Sequence, residues 1–271
     1  MADSTNELSK LIHNNVRARI AAGEVAVSMI VRLVQSIEIA NIAKACGFDS
    51  LYVDLEHCSF SLETTSQICM AAMEAGVTPF VRVPSYEPEF VSRVLDGGAL
   101  GVIAPHVSGR ADAERVVRNA RFPALGNRSV SIGTPHLRFR NWPMAEAREI
   151  MNRETTVVAM IETPDALAKA DEIAGTEGVD IVMIGTNDLC AEYGIDGQFE
   201  HQKVSDAYAR VIDACRKHGK ATGIGGLASR PKLIEQFVGM GAQYVSSGAD
   251  LSFVLASGTA RCKEVRGFKV G

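Results

Sequence analysis

Val157-Val158-Ala159-Met160-Ile161-Glu162-Thr163-Pro164 and Ile181-Val182-Met183-Ile184-Gly185-Thr186-Asn187-Asp188 bracket an amphipathic stretch and decide how this chain is built. Each is a short run rich in Val and Ile that ends abruptly in a carboxylate. Such runs describe strands buried on both faces. Between them, Thr163-Pro164 supplies a capping residue followed by proline at the first helical position, so a helix starts there. A strand, helix, strand unit of this kind makes the two strands parallel. Glu162 and Asp188 should then emerge at the same end of one sheet, on adjacent strands. Two carboxylates held together repel unless a proton or a cation sits between them. A hard divalent metal with oxygen ligands answers that need.

Working outward, the same rhythm runs through the chain. Residues 6–22 read as an amphipathic helix closed by Gly23, a lid on the bottom of a barrel. Strands are expected at residues 25–29, 50–54, 78–83, 101–104, 221–224 and 243–246, besides the two above. Helices are expected at 36–46, 62–75, 87–95, 109–119 and 204–218, with another opening at Ser229-Arg230-Pro231. The last begins at Asp250, runs to Ala256 and continues into the tail. The segment 121–153 carries Phe122-Pro123, Gly126-Asn127-Arg128, Thr134-Pro135 and Trp142-Pro143, and reads as too broken for a long element. Loops of that length inside a compact domain are usually functional or disordered. Eight strand and helix alternations in about 250 residues match a (β/α)8 TIM barrel. An open doubly wound sheet would need a Gly-rich phosphate turn after the first strand, and none is present. The expectation is one α/β domain spanning residues 1–271.

Composition narrows the function classes. The 271 residues are 46% hydrophobic and 22% charged, with a formal net charge of −4. Cationic residues are scattered, which argues against nucleic acid or an anionic membrane as partner. No apolar run is long enough to span a bilayer, and residues 1–10 lack the apolar core of a signal peptide. The six cysteines, Cys46, Cys58, Cys69, Cys190, Cys215 and Cys262, show no zinc-like spacing and read as reduced thiols of a cytoplasmic protein.

In a TIM barrel the active site lies at the C-terminal ends of the strands. Those ends carry Asp54-Leu55-Glu56-His57, Arg82, Pro105-His106, Glu162 and Asp188. The set suits a metal enzyme that polarises a small oxo acid. Arg82 offers a planar, permanently charged fork to an enolate or carboxylate oxygen, and His57 is a base of ordinary pKa about 6.5. Each residue also has a plainer reading. Glu162 alone could be a surface group, and Asp188 a helix cap. Arg82 could form an internal salt bridge with Asp54 or Glu56, and His57 could serve only the loop. His106 reads more as a loop residue or pocket wall than as a catalyst. Cys58 and Cys190 lack the base of a thiol nucleophile.

The chain resembles the HpcH/HpaI aldolase family of metal-dependent, pyruvate-using class II aldolases, from about Val25 to the last helix. Asp54-Leu55-Glu56-His57 is similar to the family's D-x-E-H, Val81-Arg82-Val83-Pro84 to its V-R-x-P, Ile161-Glu162-Thr163 to its I-E-T, and Gly185-Thr186-Asn187-Asp188-Leu189 to its G-x-x-D-L. Asp96 matches the family's acidic partner of the histidine. The resemblance implies a barrel of the phosphoenolpyruvate/pyruvate type. It implies that Glu162 and Asp188 hold Mg2+ or Mn2+, with Co2+ or Zn2+ as substitutes, and that the ion chelates pyruvate or a related 2-oxo acid. By the same resemblance, Gly185, Thr186, Asn187 and Asp188 receive the substrate carboxylate on backbone N–H groups, Arg82 stabilises the enolate oxygen, and His57, made more basic by Asp96, moves the proton. The implied reaction is retro-aldol cleavage of a 4-hydroxy-2-oxo acid to pyruvate and an aldehyde, with oxaloacetate decarboxylation through the same enolate. The implied assembly is a homo-hexamer, a trimer of dimers with the last helix exchanged. Met160 stands where the family has a Gln that contacts substrate or metal water, and Leu55, Cys58-Ser59 and His106 also depart from the family pattern, which points to a different aldehyde pocket.

Other readings stay in view. A Schiff-base aldolase needs a lysine at a strand end, whereas Lys169, Lys203, Lys217 and Lys220 fall on helices or at a strand entry. An acyl-CoA lyase or thioesterase, as in the citrate lyase β-subunit branch, would share the metal and the arginine. A non-catalytic phosphate-binding barrel would use Gly223-Ile224-Gly225-Gly226 and Ser247-Gly248-Ala249-Asp250.

Overall fold

In a computed structural model, which describes residues 7, 8, 10–131 and 133–271, eight strands close on themselves in sequence order. They are β1 (Ala26–Val31), β2 (Ser50–Asp54), β3 (Thr78–Arg82), β4 (Gly101–Ala104), β5 (Thr156–Ile161), β6 (Ile181–Gly185), β7 (Ala221–Gly225) and β8 (Tyr244–Ala249). Every neighbouring pair is parallel, including β1 with β8, and helices fill the connections. This is the expected (β/α)8 barrel. Strands β1 and β8 run further than the sequence suggests, because their pairing continues past Ser246 through a register shift to Gly248 and Ala249. Gly248 sits at φ 151, where a side chain would be strained.

The two-residue period of the strands divides the core into two shells. Tyr52, Phe80, Val158, Met160, Ile181 and Met183 fill the barrel interior. Val157, Ala159, Ile161, Val182 and Ile184 pack outward with residues of the helices, such as Tyr208 and Phe237. The inward rows continue beyond the apolar plug. One step past Tyr52 is Asp54, past Phe80 is Arg82, past Met160 is Glu162, and past Met183 is Gly185. The charges at the strand ends therefore face the barrel axis.

At the opposite mouth the expected single helix over 6–22 is interrupted. Asn6 and Ser9 lie outside the described residues. The chain breaks before Asn14, whose side chain caps the helix Asn15–Ala21 by accepting the Arg17 N–H at 3.1 Å. Asparagine favours caps because its side chain replaces a missing backbone partner. Its Nδ2 also donates to the Glu154 carbonyl at 2.7 Å and the Thr156 hydroxyl at 3.0 Å. Val16 then reaches the interior shell.

Two further departures are local. The single helix expected after Thr163 is two short ones, Pro164–Ala168 and Ala170–Ala174, parted at Lys169. Segment 121–153, expected to lack a long element, contains the helix Met144–Glu154. Pro143 stands just before that helix, where a missing N–H costs nothing. The spacing of Ala147, Ile150 and Met151 makes one apolar face, which packs with Leu8, Ile12, Phe122 and Leu137. Arg121 ties the segment down, donating to the Thr155 carbonyl at 2.8 Å and pairing with Asp180 at 2.6 Å. No helix among the described residues is long and apolar enough to cross a membrane.

Asn14 is 1% exposed, so its truncation leaves buried acceptors unpaired at the closed end. Asn14→Ala should lower the unfolding free energy by about 2–3 kcal/mol. Urea denaturation checks this, and turnover per folded molecule should be unchanged.

Candidate active site

Arg82 is the centre of the upper rim. Its Nε donates to Asp54 Oδ1 at 3.0 Å and a terminal nitrogen to Asp54 Oδ2 at 2.7 Å, a two-pronged pair. The other terminal nitrogen lies 2.9 Å from Glu56 Oε2. A second guanidinium, that of Arg32 just after β1, places its Nε 3.2 Å from Asp54 Oδ2. Burial by itself would raise the Asp54 carboxyl. The Arg82 hydrogen bonds and charge, with the His57 N–H and Arg32, outweigh burial and hold it below the usual range. For Arg82, burial acts to lower the pKa, but Asp54, Tyr52 and Glu56 overcome it and keep the guanidinium charged. Asp54 and Glu56 thus fix the orientation of Arg82, and each terminal nitrogen keeps a second N–H for a ligand.

Glu162 lies across the rim and is 2% exposed. Its Oε2 accepts the His106 backbone N–H at 2.6 Å and lies 2.9 Å from His106 Nδ1. The other ring nitrogen of His106 is 2.9 Å from Glu56 Oε1. His106 therefore bridges two carboxylates and is more than a pocket wall. It does so at φ 55, a left-handed conformation that aims both its N–H and its ring at Glu162. Burial, together with the charges of Glu56 and Asp188 and despite His106, pushes the Glu162 carboxyl up to about 7. Gly185 makes room for it: a Cβ there would lie 2.7 Å from Glu162 Oε1.

Asn187 and Asp188 are exposed in the first turn of the short helix Thr186–Glu192, beside Glu162. The Thr186 hydroxyl, by contrast, is buried and donates to the Gly225 carbonyl at 2.6 Å, next to the Tyr208 phenol at 2.8 Å. Its side chain holds the turn, so only its backbone faces the rim. His57 is exposed at the rim, 3.8 Å from Glu56 Oε2, with its N–H on Asp54 Oδ1 at 3.2 Å. Asp96 stands apart from it. Its carboxylate takes an Arg128 hydrogen bond at 2.5 Å, and that guanidinium lies 4.6 Å from the centre of the Phe122 ring. The expected His57–Asp96 pairing is not formed within the chain.

The charges bear on the metal expectation. Among the described residues, the four carboxylates Asp54, Glu56, Glu162 and Asp188 outnumber the two arginines, Arg32 and Arg82, that pair with any of them. A divalent ion would balance the surplus, and its natural place is between Glu162 and Asp188, where Oε1 of Glu162 is unshared. No group of three or more His, Cys, Asp or Glu side chains arranged for a metal occurs among the described residues. Two oxygen donors from the protein, with substrate and water supplying the rest, suit a hard cation such as Mg2+ or Mn2+.

Sequence reasoning assigned no catalytic or binding part to Glu56, His106 or Arg32. Glu56 and His106 stand at strand ends and were visible there, but what they touch depends on loop conformation. Arg32 follows a strand end directly, and that position was its only signal. Phosphate docking after β8 meets an obstacle, since the Asp250 carboxylate already accepts the N–H groups of Arg32, Leu33 and Val34.

The raised Glu162 carboxyl has a definite sign. Its ordinary value is 4.5 and its folded value about 7. In metal-free protein its contribution to stability is present below pH 4.5 and lost as pH rises through 7. Between pH 5 and 8, metal-free wild type should lose up to roughly 3 kcal/mol relative to Glu162→Gln. Paired denaturation curves read this difference, and Mn2+ should restore stability to wild type but not to the variant.

The family model described as HpcH/HpaI aldolase/citrate lyase matches residues 27–256. A protein of Hapsidospora irregularis named 4-hydroxy-4-methyl-2-oxoglutarate aldolase is 40% identical over 255 residues, 92% of this chain and 94% of its own. A 5-keto-4-deoxy-D-glucarate aldolase of Shigella boydii is 32% identical, over 88% of this chain and 91% of its own. The crystal structure of an HpcH/HpaI aldolase from Desulfitobacterium hafniense superposes with a TM-score of 0.88 at 30% identity, covering 93% of this chain and 97% of that one. The chain belongs to the HpcH/HpaI aldolase/citrate lyase family.

Proposed function

We propose that the protein is a divalent-metal-dependent aldehyde-lyase that cleaves a 4-hydroxy-2-oxo acid to pyruvate, or a related 2-oxo acid, and an aldehyde or ketone. Oxaloacetate decarboxylation falls within the same chemistry. The observation that carries the reading is the rim itself: Arg82, fixed by Asp54, is linked through Glu56 and His106 to the buried Glu162, whose other oxygen lies beside Gly185. The relatives named above support it, since both act, by name, on oxo acids of this class.

Glu162 and Asp188 would hold the ion, which supplies Lewis acidity to the 2-oxo group when bound. Backbone N–H groups in the turn from Gly185 to Asp188 would receive the carboxylate of the 2-oxo acid. Arg82 binds the oxygen that gains charge as the C3–C4 bond breaks, so its contribution grows toward the transition state. Because Asp54 already holds the guanidinium, little reorganisation accompanies that step. His57, at the rim beside Glu56, would take the proton of the C4 hydroxyl and return it to C3 of the enolate, which completes the pyruvate. Asp96 is bonded to Arg128, so this scheme gives it a structural part.

A homo-oligomer, in the hexameric form that the resemblance implies, belongs to the same proposal. The helix Asp250–Arg266 exposes Leu251, Phe253, Val254, Leu255 and Val265. An apolar surface of this kind suits burial by another copy. The six unpaired cysteines support a cytoplasmic setting.

Pyruvate release from 4-hydroxy-2-oxo acids and from oxaloacetate, with EDTA or with added Mg2+ or Mn2+, tests the chemistry. Glu162→Ala and Arg82→Ala should each lower kcat/KM by at least about 100-fold, in line with loss of a principal electrostatic contact. Activity that survives EDTA and both substitutions would rule the scheme out. For the assembly, light scattering at micromolar concentration should give a multiple of the chain mass, and a monomer mass would remove that part.

A further inference from the structure

Arg32 is unlike the other guanidinium of the rim. Arg82 is sequestered between Asp54 and Glu56, with its side chain 10% exposed. Arg32 approaches Asp54 with its Nε at 3.2 Å and leaves its side chain 39% exposed. Among the described residues no other carboxylate pairs with it. Its position is nonetheless constrained. The backbone N–H groups of Arg32, Leu33 and Val34 all end on the buried Asp250 carboxylate, at 2.8–3.0 Å, so the turn after β1 is rigid. The charge also acts on the Tyr52 phenol inside the barrel, as expected for a guanidinium leaning over the axis.

The closed strand order gives that position a meaning. β1 lies opposite β5 in the ring, with β2, β3 and β4 between them on one side. A 2-oxo acid anchored at Glu162 and Asp188, with its reacting oxygen at Arg82, would extend its far end toward β1 and β2. The near carboxylate and 2-oxo group are served by the β5 and β6 side. A second carboxylate at the far end would meet Asp54 and Glu56, which repel it, unless a cation with free donors stood there. Arg32 is that cation.

We propose that Arg32 is a specificity-determining residue that binds the distal carboxylate of a dicarboxylic 4-hydroxy-2-oxo acid. The assignment rests on the aldolase reading above and narrows its substrate class. A terminal guanidinium edge accepts a carboxylate with two parallel N–H donors, while Nε stays on Asp54. The contact forms on binding and persists through cleavage, because the carboxylate leaves with the carbonyl product, so it acts mainly on KM.

The test uses two substrates that differ only at the far end: 4-hydroxy-4-methyl-2-oxoglutarate, and 4-hydroxy-4-methyl-2-oxopentanoate, in which a methyl group replaces the distal carboxylate. Pyruvate release, counted as two per cleavage of the dicarboxylate and one (with acetone) per cleavage of the other, is measured with full-length protein and Mn2+, for wild type, Arg32→Gln and Arg32→Lys. Wild type should favour the dicarboxylate in kcat/KM. Arg32→Gln should reduce that preference roughly 10- to 100-fold, the range for a lost hydrogen bond to a charged group, mostly through KM. Arg32→Lys, which keeps the charge but not the fork, should retain an intermediate preference. Equal losses on both substrates would mean that Arg32 only supports Asp54 and Arg82, and would overturn the assignment. So would a wild type that cleaves both substrates without preference, a result that leaves the aldolase reading standing. If wild type releases no pyruvate from either, the aldolase reading itself fails, and the assignment with it.

Discussion

A closed parallel barrel has an interior too narrow for water, so every inward side chain must be apolar or must find a partner within the wall. Along most of its length this one meets the demand with Tyr52, Phe80, Met160 and Met183. One rung higher the same rows turn to Asp54, Arg82, Glu162 and the empty position of Gly185. The bidentate Asp54–Arg82 pair is the first bond above the plug, and the rest of the rim is arranged around it. Removing one partner of such a pair strands a buried charge, at about 3–5 kcal/mol. The guanidinium is therefore held in place by the fold itself, and its orientation needs no ligand.

That pair also sets the electrostatics of what surrounds it. Glu56 is shared between Arg82 and His106, and His106 passes the contact on to Glu162. The result is a chain of alternating acids and bases from β2 to β5, with a surplus of negative charge at its far end. The raised pKa of Glu162 comes first from its burial, and the charges of Glu56 and Asp188 add to it. A cation there and anionic substrate groups elsewhere are both consequences of the same imbalance.

Much of the architecture was legible because buried parallel strands advertise themselves as Val- and Ile-rich runs, and β2 and β4 fall at the expected residues. The bulge that lengthens β1 and β8 was not legible, since it depends on pairing between chain ends. The helix Met144–Glu154 was hidden by the prolines before it, although the Ala147, Ile150 and Met151 spacing carried its signature. At the rim, Arg82 and Glu162 stood out because they end apolar runs. Glu56 was legible as a salt-bridge partner of Arg82, but its contact with His106, and the partners of His106 and Arg32, were not, because they are fixed by a positive φ at His106 and by side-chain geometry. The Asp96–Arg128 contact joins residues on separate elements, and local pattern has no access to it.

The Asp250 carboxylate links two parts of the molecule that otherwise look independent. It opens the long apolar-faced helix, and it gathers the amides of the turn that carries Arg32. A rotation at the root of that helix would move these acceptor oxygens, and the turn would have to follow. Whatever grips the helix from outside is thus mechanically coupled to one wall of the barrel mouth, through a single side chain acting as a pin.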